Sequence, residues 1–187
     1  MSNEALLVMD VQRGITSRFN TGSDELLKTI KKVVEAARDN DVLPIFIRVA
    51  FRPGGVEINT TNKIFANIAT SFTHGSEDIE IDKSCGVRED DLIIDKKRVS
   101  AFSGSGLALV LRSQKIDTLT LCGIATSGVV LSTLRQAADL DFKLNVISDC
   151  CLDADPLVHS VLLEKVFPRQ SEVLTSNQYI EQLVKNS

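Results

Sequence analysis

The sequence predicts an α/β fold: a three-layer α/β/α sandwich, Rossmann-like, around a mostly parallel six-stranded sheet. Three observations predict it. Short apolar runs alternate with segments of helical period about six times along the chain. The run at 5–9 is continuously apolar rather than alternating, as a strand covered on both faces requires. Three of the runs also end on residues that suit a ligand edge: Asp10 after the first, Lys96 after the run at 92–95, and a glycine-bearing helix start, 123–130, after the run at 119–122. In open α/β sheets, ligands bind beyond the carboxyl ends of the strands.

Each element follows from local pattern. Residues 4–9 read as a strand. Ser23 opens a helix with Leu26, Leu27, Ile30, Val33, Val34 and Ala37 on one face. Residues 42–50, entered through Pro44, form a second buried strand. The polar stretch 51–61, with Pro53, Gly54 and Gly55, is too long for a simple connection and reads as a functional loop or partner contact. Residues 61–70 are expected to form a short helix, and 71–90 is loop-rich without an assignment. The rhythm resumes with a strand at 91–95, a helix at 104–114, a strand at 117–122, a helix at 127–140 and a strand at 142–148. Asp155 as N-cap with Pro156 in the first turn starts the next helix. A short strand at 172–175 precedes a last helix whose inner face is Tyr179, Ile180, Leu183 and Val184. Without a linker, repeat or low-complexity tract, the expectation is one domain over 1–187.

Composition narrows the function. Of 187 residues, 43% are hydrophobic and 25% charged, as in an ordinary globular domain. A net charge of −4 gives no electrostatic footprint for nucleic acid, and 5% aromatics with no Trp supply no stacking surface. No apolar stretch has the length of a membrane span, and residues 1–4 lack the basic flank of a signal peptide, so a cytoplasmic location is expected. Cys85, Cys122, Cys150 and Cys151 show no metal-ligand spacing and read as reduced thiols. With only His74 and His159 besides, no metal and no cofactor is expected.

Asp10 follows five apolar residues, and a carboxylate there needs hydrogen bonds or a cation. It is either a strand-end turn residue or a functional acid. Gln12 is placed to orient it or a ligand. Lys96 opens the triplet Lys96-Lys97-Arg98 but directly follows the apolar run, and near a carboxylate it can stabilise developing negative charge. Ser103-Gly104-Ser105-Gly106 lacks a full phosphate-loop pattern and is better read as a helix start. In the segment 123–130, Gly123 and Gly128 let backbone approach a ligand, and Thr126 or Ser127 is the N-cap. The free N–H groups of that first turn can bind an oxyanion. Thr126, Ser127, Gly128 and Val129 are therefore taken, with Gln12, as substrate-binding residues, and Asp10 and Lys96 as catalytic ones.

Together, Leu7-Val8-Met9-Asp10-Val11-Gln12, Lys96-Lys97-Arg98-Val99-Ser100-Ala101-Phe102, and Gly123-Ile124-Ala125-Thr126 followed by Thr133 and Ala137 resemble the isochorismatase-like hydrolases, the cysteine hydrolase superfamily. The resemblance covers most of the chain. It implies that Asp10 acts as general base, that Lys96 supports charge, and that backbone N–H groups beside a non-proline cis peptide form an oxyanion hole. The family's Cys nucleophile falls at Val129, or at Gly128 in a register slipped by one, and neither residue can attack. The histidine of nicotinamidase-like metal sites is also missing from Arg48-Val49-Ala50-Phe51-Arg52. Isochorismatases proper likewise lack the Cys and hydrolyse a vinyl ether by proton transfer from the Asp and attack of water. The resemblance thus implies a hydrolase of a small-molecule substrate without a covalent intermediate, in a homo-oligomer. The competing readings are a non-catalytic member that binds a metabolite or partner, and an enzyme in which Cys122 or Cys150 substitutes as nucleophile.

Overall fold

A computed structural model describes residues 3–19 and 21–186. Six strands form one sheet in the order β3-β2-β1-β4-β5-β6: β1 Glu4–Met9, β2 Leu43–Val49, β3 Leu92–Lys96, β4 Thr118–Ile124, β5 Lys143–Leu152 and β6 Glu172–Leu174. Every neighbouring pair is parallel. The helices are α1 Arg13–Thr16, α2 Thr21–Asp39, α3 Leu107–Ser113, α4 Leu131–Asp139, α5 Pro156–Val161 and α6 Ser176–Asn186. A π turn, Thr126–Val130, leads directly into α4.

Both faces of the sheet are covered. Ala5, Leu7 and Met9 of β1 pack with α3 and α4 through Leu107, Leu111, Leu134 and Ala137. Leu6 and Val8 point the other way, to α2 and α6. The six apolar residues assigned to α2 are all buried there, and the five larger than alanine each contribute about 1.5–3 kcal/mol of gross burial free energy. A third, smaller cluster of Val49, Ala50, Phe51, Phe65, Phe72 and Ile79 lies under the long connection between β2 and β3.

The structure departs from expectation at a few places. Residues 61–70 form successive turns rather than a helix. Asn59 Oδ1 accepts from Thr61 N–H at 2.9 Å and Asn62 Oδ1 from Phe65 N–H at 3.2 Å, and these side chains compete with the helical ladder. Strand β5 runs on to Leu152 and carries Cys150 and Cys151 into the sheet. The helix expected from 104 starts at Leu107, with Ser105 Oγ accepting its N–H at 3.3 Å. Val184 lies outside the buried face of α6 and is 66% exposed. Asp155 caps α5 as expected, accepting from Leu157 and Val158 N–H at 2.9 and 3.2 Å.

The strand order fixes where a ligand can sit. The chain winds outward from β1 through β2 to β3, then returns to β4 on the other side of β1. The crevice at this switch point, between the carboxyl ends of β1 and β4, is the usual ligand position in such sheets. Asp10 leaves β1 there, and Ala125–Val130 leave β4.

Candidate active site

Strand alternation alone would send Asp10 to the wrong face. Val8 faces α2, so at period two Asp10 would follow it, whereas Lys96 shares a face with Ile94 and the α3–α4 core. Asp10 instead adopts φ 59°, in the left-handed region that Asp tolerates better than most side chains. Its N–H remains tied to the Ile47 carbonyl at 2.9 Å. The turned carboxylate meets Lys96: Asp10 Oδ2 lies 2.9 Å from Lys96 Nζ. The same ammonium donates to the Arg98 carbonyl at 2.9 Å. Asp10 is 6% exposed and Lys96 1%.

The pair is incompletely satisfied. Among the described residues, Asp10 Oδ1 is the buried side-chain oxygen with no hydrogen-bond partner. Such atoms cost free energy and mark places where a ligand or solvent belongs. Burial lifts the Asp10 carboxyl above the ordinary carboxylate range, and Lys96 pulls it partly back through charge and hydrogen bond.

The rest of the Lys96–Phe102 segment is scaffold. Arg98 donates to the Glu57 carbonyl at 2.8 Å and so holds the long β2–β3 connection. Lys97 Nζ donates to the Ala50 carbonyl. Ser100 Oγ meets Gln136 Oε1 at 2.7 Å, and the Ala101 N–H donates to Thr133 Oγ1 at 2.9 Å, which pins the loop to α4. Thr133 was visible beforehand only as part of the family resemblance.

The β4 end approaches β1 unusually closely. Gly123 has φ 135°, and a Cβ there would stand 2.0 Å from the Met9 carbonyl oxygen, so only glycine fits. The Ile124–Ala125 peptide that follows is cis.

The five residues assigned to substrate binding fare differently. Gln12 is fully buried and spent on the backbone: its Nε2 donates to the carbonyls of Val49 and Ile79 at 2.9 and 3.3 Å, and its Oε1 accepts the Val49 N–H at 2.7 Å. It braces the site and offers no group to a ligand. Thr126 is buried with its hydroxyl 2.8 Å from His159 Nδ1 of α5, and Ala125, not Thr126 or Ser127, holds the N-cap position. Val129 lies 2% exposed in the α3–α4 core. Ser127 is exposed and Gly128 half-buried, with room for a Cβ 3.9 Å from that of Ala125. The Ser127 N–H, expected to be free for an oxyanion, donates to Asp153 Oδ2 at 2.7 Å. Asp153 and His159 thus join the site unannounced by any local pattern, because both act across 26 or more residues of chain.

The thiols stand apart. All four are free and buried. Burial pushes Cys85 and Cys151 up to about 12 and raises Cys122 and Cys150 further, which disfavours the thiolate that a substitute nucleophile needs. Among the described residues, no group of three or more His, Cys, Asp or Glu could hold a metal ion. No helix among them is long and apolar enough to cross a membrane.

Comparison with known proteins agrees with the fold and the family resemblance. The model of the isochorismatase domain matches residues 4–178. An uncharacterized isochorismatase family protein of Bacillus subtilis, YwoC, is 31% identical over 179 residues, 96% of this chain and 93% of its own length. Maleamate amidohydrolase of Pseudomonas putida is 23% identical, over 96% of this chain and 86% of its own. Among solved structures, a cysteine hydrolase from Pseudomonas syringae superposes with a TM-score of 0.91 at 22% identity, covering 99% of this chain and 94% of that one. With the family domain spanning nearly the whole chain and the switch-point crevice built from the same three segments, this protein belongs to the isochorismatase family.

Proposed function

We propose that this protein hydrolyses a small-molecule substrate by acid–base chemistry at Asp10 and Lys96, without a covalent enzyme intermediate. The observation that carries the reading is the buried Asp10–Lys96 contact with Asp10 Oδ1 left unpartnered at the sheet's switch point. A carboxyl lifted by burial holds its proton into the range where it can transfer it to a leaving atom. Water then adds to the electrophilic carbon and its proton returns to Asp10, so the enzyme ends as it began. Lys96 holds the carboxylate in place and stabilises it whenever the proton is away. Apolar Val129, where the resemblance places the family's Cys (or Gly128, in the register slipped by one), and four buried thiols support a route through water.

Relatives named as hydrolases, among them maleamate amidohydrolase and ureidoacrylate amidohydrolase, favour a hydrolytic reaction on a small molecule. The reading further takes the chain as one domain, in a reducing compartment such as the cytoplasm, and as a homo-oligomer. Leu157 and Val161 on α5 and Val56 in the β2–β3 connection are exposed apolar residues that suit contact between copies. Sedimentation at equilibrium reads the assembly state directly.

One observation favours a second reading, in which the protein binds a metabolite without turning it over: Val129 is packed into the core. A panel of amides, esters and vinyl ethers, assayed with wild type and Asp10→Asn, separates the two. Turnover that depends on Asp10 and survives iodoacetamide supports hydrolysis. Ligand binding with no turnover in either protein supports the second reading.

A further inference from the structure

A cavity opens where the chain enters β4 and β5, at the opposite end of these strands from the crevice at Asp10. Two helices stop there in the same way. After α3, Lys115 takes φ 55° and the Ile116 N–H reaches back to the Leu111 carbonyl at 2.9 Å. After α4, Asp141 takes φ 63° and the Phe142 N–H reaches back to the Ala137 carbonyl at 3.1 Å. Helix ends of this kind carry an apolar residue just past the left-handed one. Here Ile116 and Phe142, with Phe102 and Leu140, line one cavity of about 430 Å³, a size usual for small-molecule sites. The Phe102 and Phe142 rings lie 6.1 Å apart between centroids, tilted by 34°. Leu140 is left 51% exposed.

Three charged residues share this lining: Arg112, Asp117 and Asp141. Asp117 is already engaged, accepting from Asn3 Nδ2 at 3.4 Å and from Thr118 Oγ1 at 2.7 Å. Arg112 and Asp141 have no side-chain partner among the described residues and do not pair with each other. The cavity therefore joins an apolar wall to one unpaired cation and one unpaired anion. We infer that it binds a free α-amino acid with an apolar side chain. The side chain packs against Phe102, Phe142 and Leu140, the carboxylate meets Arg112, and the ammonium meets Asp141. A guanidinium suits a carboxylate because its paired N–H groups match both oxygens. The ammonium also gains from the carbonyl end of α4, which Asp141 directly follows. An apolar acid alone leaves Asp141 unanswered, and an apolar amine alone faces the like charge of Arg112. No residue of the cavity belongs to the Asp10–Lys96 pair, so this is a separate site.

The test is titration calorimetry on the full chain with phenylalanine and its two truncated relatives: hydrocinnamate, which lacks the ammonium, and phenethylamine, which lacks the carboxylate. Both protein charges are exposed, so wild type should bind phenylalanine about threefold to tenfold more tightly than either relative. Arg112→Gln should remove the advantage over phenethylamine and keep the one over hydrocinnamate. Asp141→Asn should do the reverse, and asparagine tolerates the left-handed turn as aspartate does. Backbone amide shifts of Ile116, Leu140 and Phe142 should report the ligand, and Asp10→Asn should leave its affinity unchanged. Equal binding of the three probes by wild type overturns the inference, and that comparison stands even where a variant folds poorly. An advantage that survives both substitutions overturns it too, as do amide shifts confined to other residues or no binding of phenylalanine at millimolar concentration.

Discussion

Strands β1 and β4 carry a buried polar cluster at each end, and the two are built on opposite principles. At the amino end, Glu4 Oε1 accepts from Thr120 Oγ1 at 2.5 Å and from Tyr179 OH at 2.8 Å, and Asn145 Nδ2 donates to Thr120 Oγ1 at 3.0 Å. These groups tie α6 to the sheet, and burial together with Glu4 raises the Tyr179 hydroxyl far above its ordinary range. At the carboxyl end, six residues along β1, Asp10 meets one cation and keeps one oxygen without a partner. A polar cluster that only stabilises closes its hydrogen bonds. One that works on a ligand leaves a group open, and the fold bears the cost.

That contrast can be broken most severely at Asp10. Asp10→Asn removes the proton carrier but keeps the shape, and should lower kcat about a hundred- to ten-thousandfold in steady-state assays. A loss under about threefold would put both clusters in the structural class. Lys96→Met comes next. It strands a buried carboxyl, and should destabilise the protein by about 3–5 kcal/mol in urea titration, with much of that recovered in the Asp10→Asn/Lys96→Met double variant.

The acid-range behaviour sharpens the comparison further. The Asp10 carboxyl is raised in the fold from 3.8, so the folded state binds its proton more tightly than the unfolded chain. Its contribution to stability is therefore full below about pH 3.8 and is lost as pH rises through the folded value. Wild type should lose urea resistance relative to Asp10→Asn as pH increases across that window, and an opposite slope would contradict the raised value. The smallest effect belongs to the closed cluster. Tyr179→Phe should cost about 1–3 kcal/mol of stability and leave kcat unchanged, because it touches only the far edge of the sheet.

Much of this architecture could be read from the chain. Short, largely apolar runs marked the strands, and the one-sided stripe from Leu26 to Ala37 marked α2, because burial on two faces or one is written in local periodicity. The turns at 61–70 could not be read that way. Their apolar residues are spaced loosely enough for a helix, and it is Asn59 and Asn62, with Phe65 inserted against Phe51 at 5.8 Å between ring centroids, that decide otherwise. The meeting of Asp10 with Lys96 could be expected from the chain, whereas the amide of Gln12 looked available until Val49 and Ile79 were seen to use it.

The sequence by itself determined which strands exist and which residues stand at their ends, since a run of apolar side chains commits the backbone within a few residues. Only the tertiary structure decided which way those residues face and what they already hold. The turn at Asp10, the capture of the Ser127 N–H by Asp153 and the closure of Thr126 on His159 all join groups far apart along the chain. A hydrogen bond depends on distance and angle in space, and no local pattern records either.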